Sequence, residues 1–370
     1  MDSPATNPLI ETPLTALHRA AGAALGVWFG CALPDHFGDW QAEYRFARGS
    51  VALLDKNYRA YLSFTGADRV RFLNAVLTNN IRDLQTGQGN VSLLLNPQGH
   101  ILAEIEIYAL PERLLALSYA MIRERLLATF EKFIIMDDVT LTDDTQAYGT
   151  LALEGPLAAA VVKELTAVDI TTLPELGHLE IPSGKPGLPG RLLRRSPGGV
   201  PGAEFLVPRA QLPEWWRVLQ QAARAAGGGP AGFTALNALR LEQGVPWFGY
   251  DFGEKQIPHE AGLQESHISY VKGCYTGQEI VERVRSRGQV HRVRAGLRFA
   301  ATAPPAPGTP LLAGGQEAGF VTRAAFSPAA GAVIGMGYLR REQATPGNQL
   351  DCAGQPAQVI ALPLATLPRP

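Results

Sequence analysis

Lys272-Gly273-Cys274-Tyr275-Thr276-Gly277-Gln278-Glu279 places one cysteine between two glycines, just before an apolar run, Ile280, Val281 and Val284, at helical spacing. Thr276 and Glu279 have the T-x-x-E spacing of a capping box, in which hydroxyl and carboxylate each satisfy a free amide of the first turn. Glu279 and Arg283 then form an i,i+4 pair. Cys274 is expected two residues before the cap, where amide dipoles and the charge of Lys272 both favour thiolate. Two interpretations stand together. A cysteine in this setting is a working thiol, whereas an isolated cysteine is also a common small buried hydrophobe.

Outward from that segment, strands and helices mix without regular βαβ alternation, which predicts an α+β architecture. Residues 18–54 read as an irregular entry followed by a short helix. Arg59 to Phe64 alternates as a strand does, and Thr65-Gly66-Ala67-Asp68 opens a helix with Val70, Leu73, Val76 and Leu77 on one face. Strands at 91–95 and 101–108 flank Asn96-Pro97-Gln98-Gly99, a turn by composition. A strand at 113–119 precedes an amphipathic helix at 121–135. Further on, 148–155, 188–194 and 204–208 read as strands, and 210–226 as a helix with Trp215 and Trp216 facing the core. Gly227-Gly228-Gly229-Pro230 reads as a linker or loop, with no lysine–hydroxyl pair to make it a phosphate loop. The proline-rich stretch 300–310 marks a boundary, and short runs beyond it predict a small all-β unit. The expected units are 1–147, 148–295 and a β-barrel at 296–370.

Composition narrows the function classes. The 370 residues are 46% hydrophobic and 18% charged with a net charge of −1, so several packed cores are affordable and no global field drives nucleic-acid or membrane binding. The start of the chain has no basic region followed by a long apolar run, and no stretch reaches the ~18 apolar residues of a membrane span. A cytoplasmic protein is expected. Cys31, Cys274 and Cys352 form no C-x-x-C, and the histidines show no metal-ligand spacing. An iron–sulfur cluster held wholly by cysteine needs more thiolates than one chain supplies, so no stable metal centre is expected.

The 272–279 segment, followed by Arg283, Gly288 and Val290, resembles the signature of the folate-binding YgfZ family. That family is related to the glycine-cleavage T-protein (aminomethyltransferase) and to mitochondrial iron–sulfur assembly factors. Leu239 to Pro246 with Gly249 and Asp251, Pro258-His259-Glu260-Ala261-Gly262, and Phe72-Leu73 with Leu77-Thr78-Asn79 resemble further family segments. So do Asn96 to Gly99, Gly319 to Thr322 and Gly335 to Tyr338, and together these span nearly the whole chain. The resemblance implies T-protein-like, ferredoxin-like α+β lobes around a central folate cavity, plus the C-terminal barrel. It implies tetrahydrofolate or a one-carbon derivative as cofactor, with Glu204, Asn96, Arg240 and Glu260 as binding residues and Cys274 as the functional thiol. It also implies a role in assembly or repair of iron–sulfur enzymes, including tRNA-modifying ones, with client or scaffold proteins as partners.

Two departures from the T-protein pattern bear on chemistry. Its paired aspartates fall at Ala103 and Glu104, so the first carboxylate is lost, and Glu104 is expected on the opposite strand face unless the strand is bulged. This argues against the alternative function, a folate-dependent aminomethyltransferase. The tyrosine-bearing pattern before Glu204 is reduced to Pro197-Gly198-Gly199-Val200-Pro201-Gly202-Ala203, and the family's folate-side arginine falls at Leu236. Finally, the arginines from Arg283 to Arg298 (283, 285, 287, 292, 294 and 298) are either a patch for RNA phosphates, a second alternative function, or a solvated surface.

Overall fold

The computed structural model describes residues 9–182, 187–196, 198–288 and 290–364; Pro197 and residues 1–8 of the sequence arguments above lie outside them. The described residues form three sheets and a barrel with helices packed on them, and the α+β class holds.

The five-stranded antiparallel sheet runs Gly89–Leu95, Ile101–Ala109, Leu114–Tyr119, Arg59–Thr65, Thr140–Asp143. Helices Arg69–Val76 and Arg123–Phe133 cover one face, where Phe64, Phe72, Leu73, Ala103, Ile105, Leu126 and Phe130 form one core. Period-two alternation therefore sends Glu104 and Glu106 to the other face. The register slips between Leu94 and Leu95, at Leu102, so alternation is regular from Ala103 onward.

The six-stranded sheet runs His178–Glu180, Arg191–Arg194, Gly202–Pro208, Tyr148–Glu154, Ala52–Asp55, Gly229–Pro230. Ala52–Asp55, from the first expected unit, thus belongs to the second sheet. The glycine run expected as a linker ends in an edge strand that pairs parallel with Ala52–Leu53. Helix Leu212–Ala225 buries both Trp215 and Trp216 against this sheet, as its periodicity predicts.

The segment 18–54 departs from expectation. Ala24–Trp28 and Cys31–His36 form a hairpin that joins Ile10–Glu11 in a small sheet. Pro34 disguises it, and is tolerated because the ladder is already irregular beside its partner Leu25. Helix Phe233–Glu242 has nine of its ten residues buried. Its polar residues Asn237, Arg240 and Glu242 are buried with the apolar ones, so it has no solvated face to set it apart.

The barrel closes in the order Arg292–Phe299, Ala332–Arg340, Gln316–Ser327, Pro310–Ala313, Gln349–Cys352, Gln355–Ile360. Its first strand begins upstream of the expected boundary and pins the loops beside it. Arg294 donates from Nε to Ala261 O (2.9 Å) and from Nη1 to Gly244 O (3.0 Å).

The 272–279 segment docks one unit on another. Lys272 is buried, and its ammonium donates to Asn74 O and Leu77 O at the C-terminal end of helix Arg69–Val76. It caps open carbonyls there, with its pKa pushed down to about 8 by burial. Tyr275 and Val281 pack with Leu93, Leu95 and Ile101. The expected capping box does not form: helix Gln278–Arg287 starts from Gly277, at φ 82°, and no side chain caps it. A Cβ on Gly277 would lie 2.6 Å from Asn96 O and 3.3 Å from Gly99 Cα, so the turn at 96–99 claims the space that a capping geometry would need. Gly277→Ala combines a left-handed backbone with that clash and is expected to cost about 2 kcal/mol or more. Urea unfolding measures it, and a loss below about 0.5 kcal/mol would show that the turn yields freely.

Candidate functional site

Glu104 and Glu106, two apart on strand Ile101–Ala109, open onto a central cavity of about 460 Å³. All parts of the chain contribute to its wall. Ser118 and Tyr119 come from the neighbouring strand, Arg195 from the six-stranded sheet's side, 244–247 and 262–267 from the connecting segments, and Arg294 from the barrel. The volume lies within the usual range for small-molecule sites. Phe29, Tyr58, Tyr119 and Trp247 give it aromatic faces. Phe29 stacks on Tyr58 at 4.3 Å from a left-handed backbone, φ 52°, secured by a hydrogen bond from its N–H to Tyr250 OH at 2.9 Å. Strain of that kind persists where surrounding contacts over-determine the geometry.

Glu104 is the accessible carboxylate. Tyr119 OH donates to Oε2 at 2.6 Å, His267 Nε2 lies 3.0 Å from Oε1, and Ser266 Oγ lies 2.7 Å from His267 Nδ1. An ionised Glu104 requires the imidazole proton on Nε2, which leaves Nδ1 to accept from Ser266. A carboxylate has about four acceptor directions, so capacity remains for a ligand N–H or a transferred proton.

Glu106 and Glu204 share one cation. Arg59 Nη1 lies 2.7 Å from Glu204 Oε2 and 3.4 Å from Glu106 Oε2, and Arg59 Nη2 donates to Glu204 Oε1 at 3.0 Å. Arg195 Nε and Tyr108 OH both donate to Glu106, each at 2.9 Å. Burial alone would raise the Glu106 pKa, but Arg59 and Arg195 outweigh it and hold the group below the usual carboxylate range. For Glu204 burial prevails over Arg59, with the charge of Glu106 adding to it, and the pKa is pushed up.

The residues expected to bind a cofactor are mostly elsewhere. Glu204 is fully buried in an interior strand, opposite Ala152 and Leu193, and reaches the cavity only through Arg59. Arg240 is sealed between Asp251, Asn237 Oδ1 (2.9 Å) and the Trp247 ring (4.7 Å), and Thr322 of the barrel donates to the same Asp251 at 2.7 Å. Glu260 accepts from Arg292 Nε at 3.0 Å and ties a short helix to the barrel. Asn96 Oδ1 accepts from His100 N at 2.9 Å inside its turn. None of these three lines the cavity, and neither does any residue of 272–279. Cys274 is exposed, while Cys31 and Cys352 are buried. The Lys272 ammonium serves the carbonyls at the end of a helix, so its charge is not the thiol's partner.

Among the described side chains, Arg283, Arg285 and Arg298 are exposed, Arg285 over the Tyr270 ring at 4.1 Å, while Arg292 and Arg294 donate to Glu260 and to Ala261 O; the Arg287 side chain lies outside those described. Ala103 packs in an apolar core and Glu104, on the opposite strand face as expected, lines the cavity. Glu106, Arg59 and His267 were missed; the 104/106 alternation was the available signal. Among the described residues no group of three or more His, Cys, Asp or Glu is placed to hold a metal ion, and no helix is long and apolar enough to cross a membrane.

Comparison with known proteins matches this architecture. The model of the GCVT N-terminal domain matches residues 14–266, and that of the glycine cleavage T-protein C-terminal barrel domain matches residues 292–365. An aminomethyltransferase of Rubrobacter xylanophilus is 30% identical over 338 residues, covering 91% of this chain and 89% of that protein. One of Streptomyces avermitilis is 29% identical over 361 residues, covering 95% and 96%. The crystal structure of glycine cleavage system aminomethyltransferase T from Bartonella henselae superposes with a TM-score of 0.86 over 98% of this chain and 99% of that one, at 24% identity, a likeness of fold. With both domains matched in order and a cavity between them, the chain belongs to the glycine-cleavage T-protein family.

Proposed function

We propose that the central cavity binds tetrahydrofolate or a one-carbon derivative, and that the protein is an aminomethyltransferase-like one-carbon transferase in which Glu104 is the working carboxylate. One observation carries this: Glu104, held by Tyr119 and His267, is the member of the 103/104 pair that faces the cavity. The relatives named aminomethyltransferase support it.

The envelope suits such a molecule. Aromatic walls take a flat bicyclic ring, acceptors at Glu104 and Glu106 suit its N–H groups, and Arg195 and Arg294 suit anionic ends. Glu204 is not free to serve as a ring acceptor, because both its oxygens face Arg59; it acts instead by holding Arg59 in the wall. Tetrahydrofolate, when bound, supplies the nitrogens that accept the one-carbon unit. Glu104 then orients the nearest ligand N–H and can hold a proton, with His267 and Ser266 completing a path for it.

In an assay of methylene-tetrahydrofolate formation from an aminomethylated carrier protein, Glu104→Gln is expected to lose about 10²-fold or more in turnover, the usual scale for acid–base groups. Tetrahydrofolate affinity measured by calorimetry should change far less. Equal turnover in the variant would remove Glu104 from the mechanism, and no tetrahydrofolate binding by the unaltered protein would remove the reading altogether.

A second reading, the accessory role in iron–sulfur assembly or repair, is favoured by Cys274. The packing of 272–279 accounts for Lys272, Tyr275 and Gly277 but asks nothing of an exposed thiol. A Cys274→Ser strain is then expected to lose iron–sulfur enzyme activity under oxidative stress; unchanged activity rules the thiol out.

A further inference from the structure

Arg59 lines a second cavity as well, also of about 460 Å³, bounded by the N-terminal strand, the start of helix Arg123–Phe133, Thr145, Gln146 and Arg209. Arg123, Arg125 and Arg209 line it beside Arg59, and of these Arg125 is already paired with Glu254. Arg209 has no ion pair or side-chain hydrogen bond among the described residues. Arg123 reaches only Asp143 and Glu124, at 3.7 and 3.9 Å, and makes no aligned hydrogen bond to either. Arg59 Nη1, in a side chain 5% exposed, has no aligned hydrogen bond although Glu204 is close. Thr145 Oγ1 accepts from Tyr61 N at 3.1 Å, and its own proton is given to no acceptor.

Acceptors, by contrast, are used or turned outward. Asn57 Oδ1 accepts from Thr150 N at 3.1 Å. The Glu11 and Glu124 side chains are 68% and 92% exposed at the rim. What remains inside is donor capacity and positive charge, beside the apolar surfaces of Pro13 and Met121. Burial lowers the pKa of Arg209, so its charge sits in a partly desolvated place where an anion is attracted more strongly than in water.

We infer that this second cavity is an anion site for a compact organic oxyanion, a carboxylate or a phosphate ester, held by Arg209 and Arg123 with its apolar part against Pro13 and Met121. Guanidinium forks match both groups in two-point geometry. The site is separate from Glu104 and does not rest on folate chemistry.

Equilibrium dialysis of the full chain against labelled inorganic phosphate and, separately, labelled succinate, at fixed ionic strength, tests it. Saturable binding of at least one probe is expected. It should weaken at least tenfold in Arg209→Gln or Arg123→Gln, both of which should keep the native circular dichroism spectrum, and remain unchanged in Glu104→Gln. Preference for one probe assigns phosphate esters or carboxylates. No saturable binding of either probe, binding unchanged in both arginine variants, or binding lost in Glu104→Gln would overturn the inference.

Discussion

One buried guanidinium ties the two large sheets to each other by charge. Arg59 stands at the start of a strand in the five-stranded sheet, and its two main partners come from different sheets: Glu106 from its own and Glu204 from the six-stranded one. All three are buried. Taking such charges out of water is costly, and the arrangement persists because each charge meets an opposite one; losing one partner of a buried pair typically costs about 3–5 kcal/mol. The same side chain lines both cavities. Beside this ion-pair cluster, Tyr61, Val91, Tyr108, Leu115 and Leu117 pack against Leu193 and Leu206 of the other sheet, so Arg59 joins the sheet interface to the walls of both cavities.

Much of the architecture was legible because it is written in short-range pattern. The alternation in 101–108 and the stripe on 210–226 have local causes, whereas the proline-rich stretch 300–310 connects two barrel strands and does not precede the barrel. What failed had tertiary causes. Thr276 and Glu279 have the spacing of a capping box, yet Gly277 is held left-handed against the turn at 96–99, a contact nearly two hundred positions away in sequence. Pro34 hid a strand that an irregular ladder tolerates, and helix Phe233–Glu242 hid because it is buried almost all round.

The site was less legible than the fold, for the same reason. A strand covered on both faces does not announce which face meets a cavity: Ala103 packs in an apolar core, and Glu104 beside it faces the cavity. Arg240 and Glu260 looked like ligands because they are charged residues in family segments. Both instead tie the connecting segments to the barrel, which keeps the wall at 244–247 and 262–267 in place. The 272–279 segment has the same character in most of its residues, and Cys274 is its exception.

The central claim is that ligand chemistry belongs to the cavity at Glu104 and not to the 272–279 surface. Hydrogen–deuterium exchange with and without tetrahydrofolate compares them directly. The account predicts new protection in 101–109, 114–119 and 262–267, with 272–288 unchanged. Protection centred on 272–288, with the cavity strands unaffected, would contradict it.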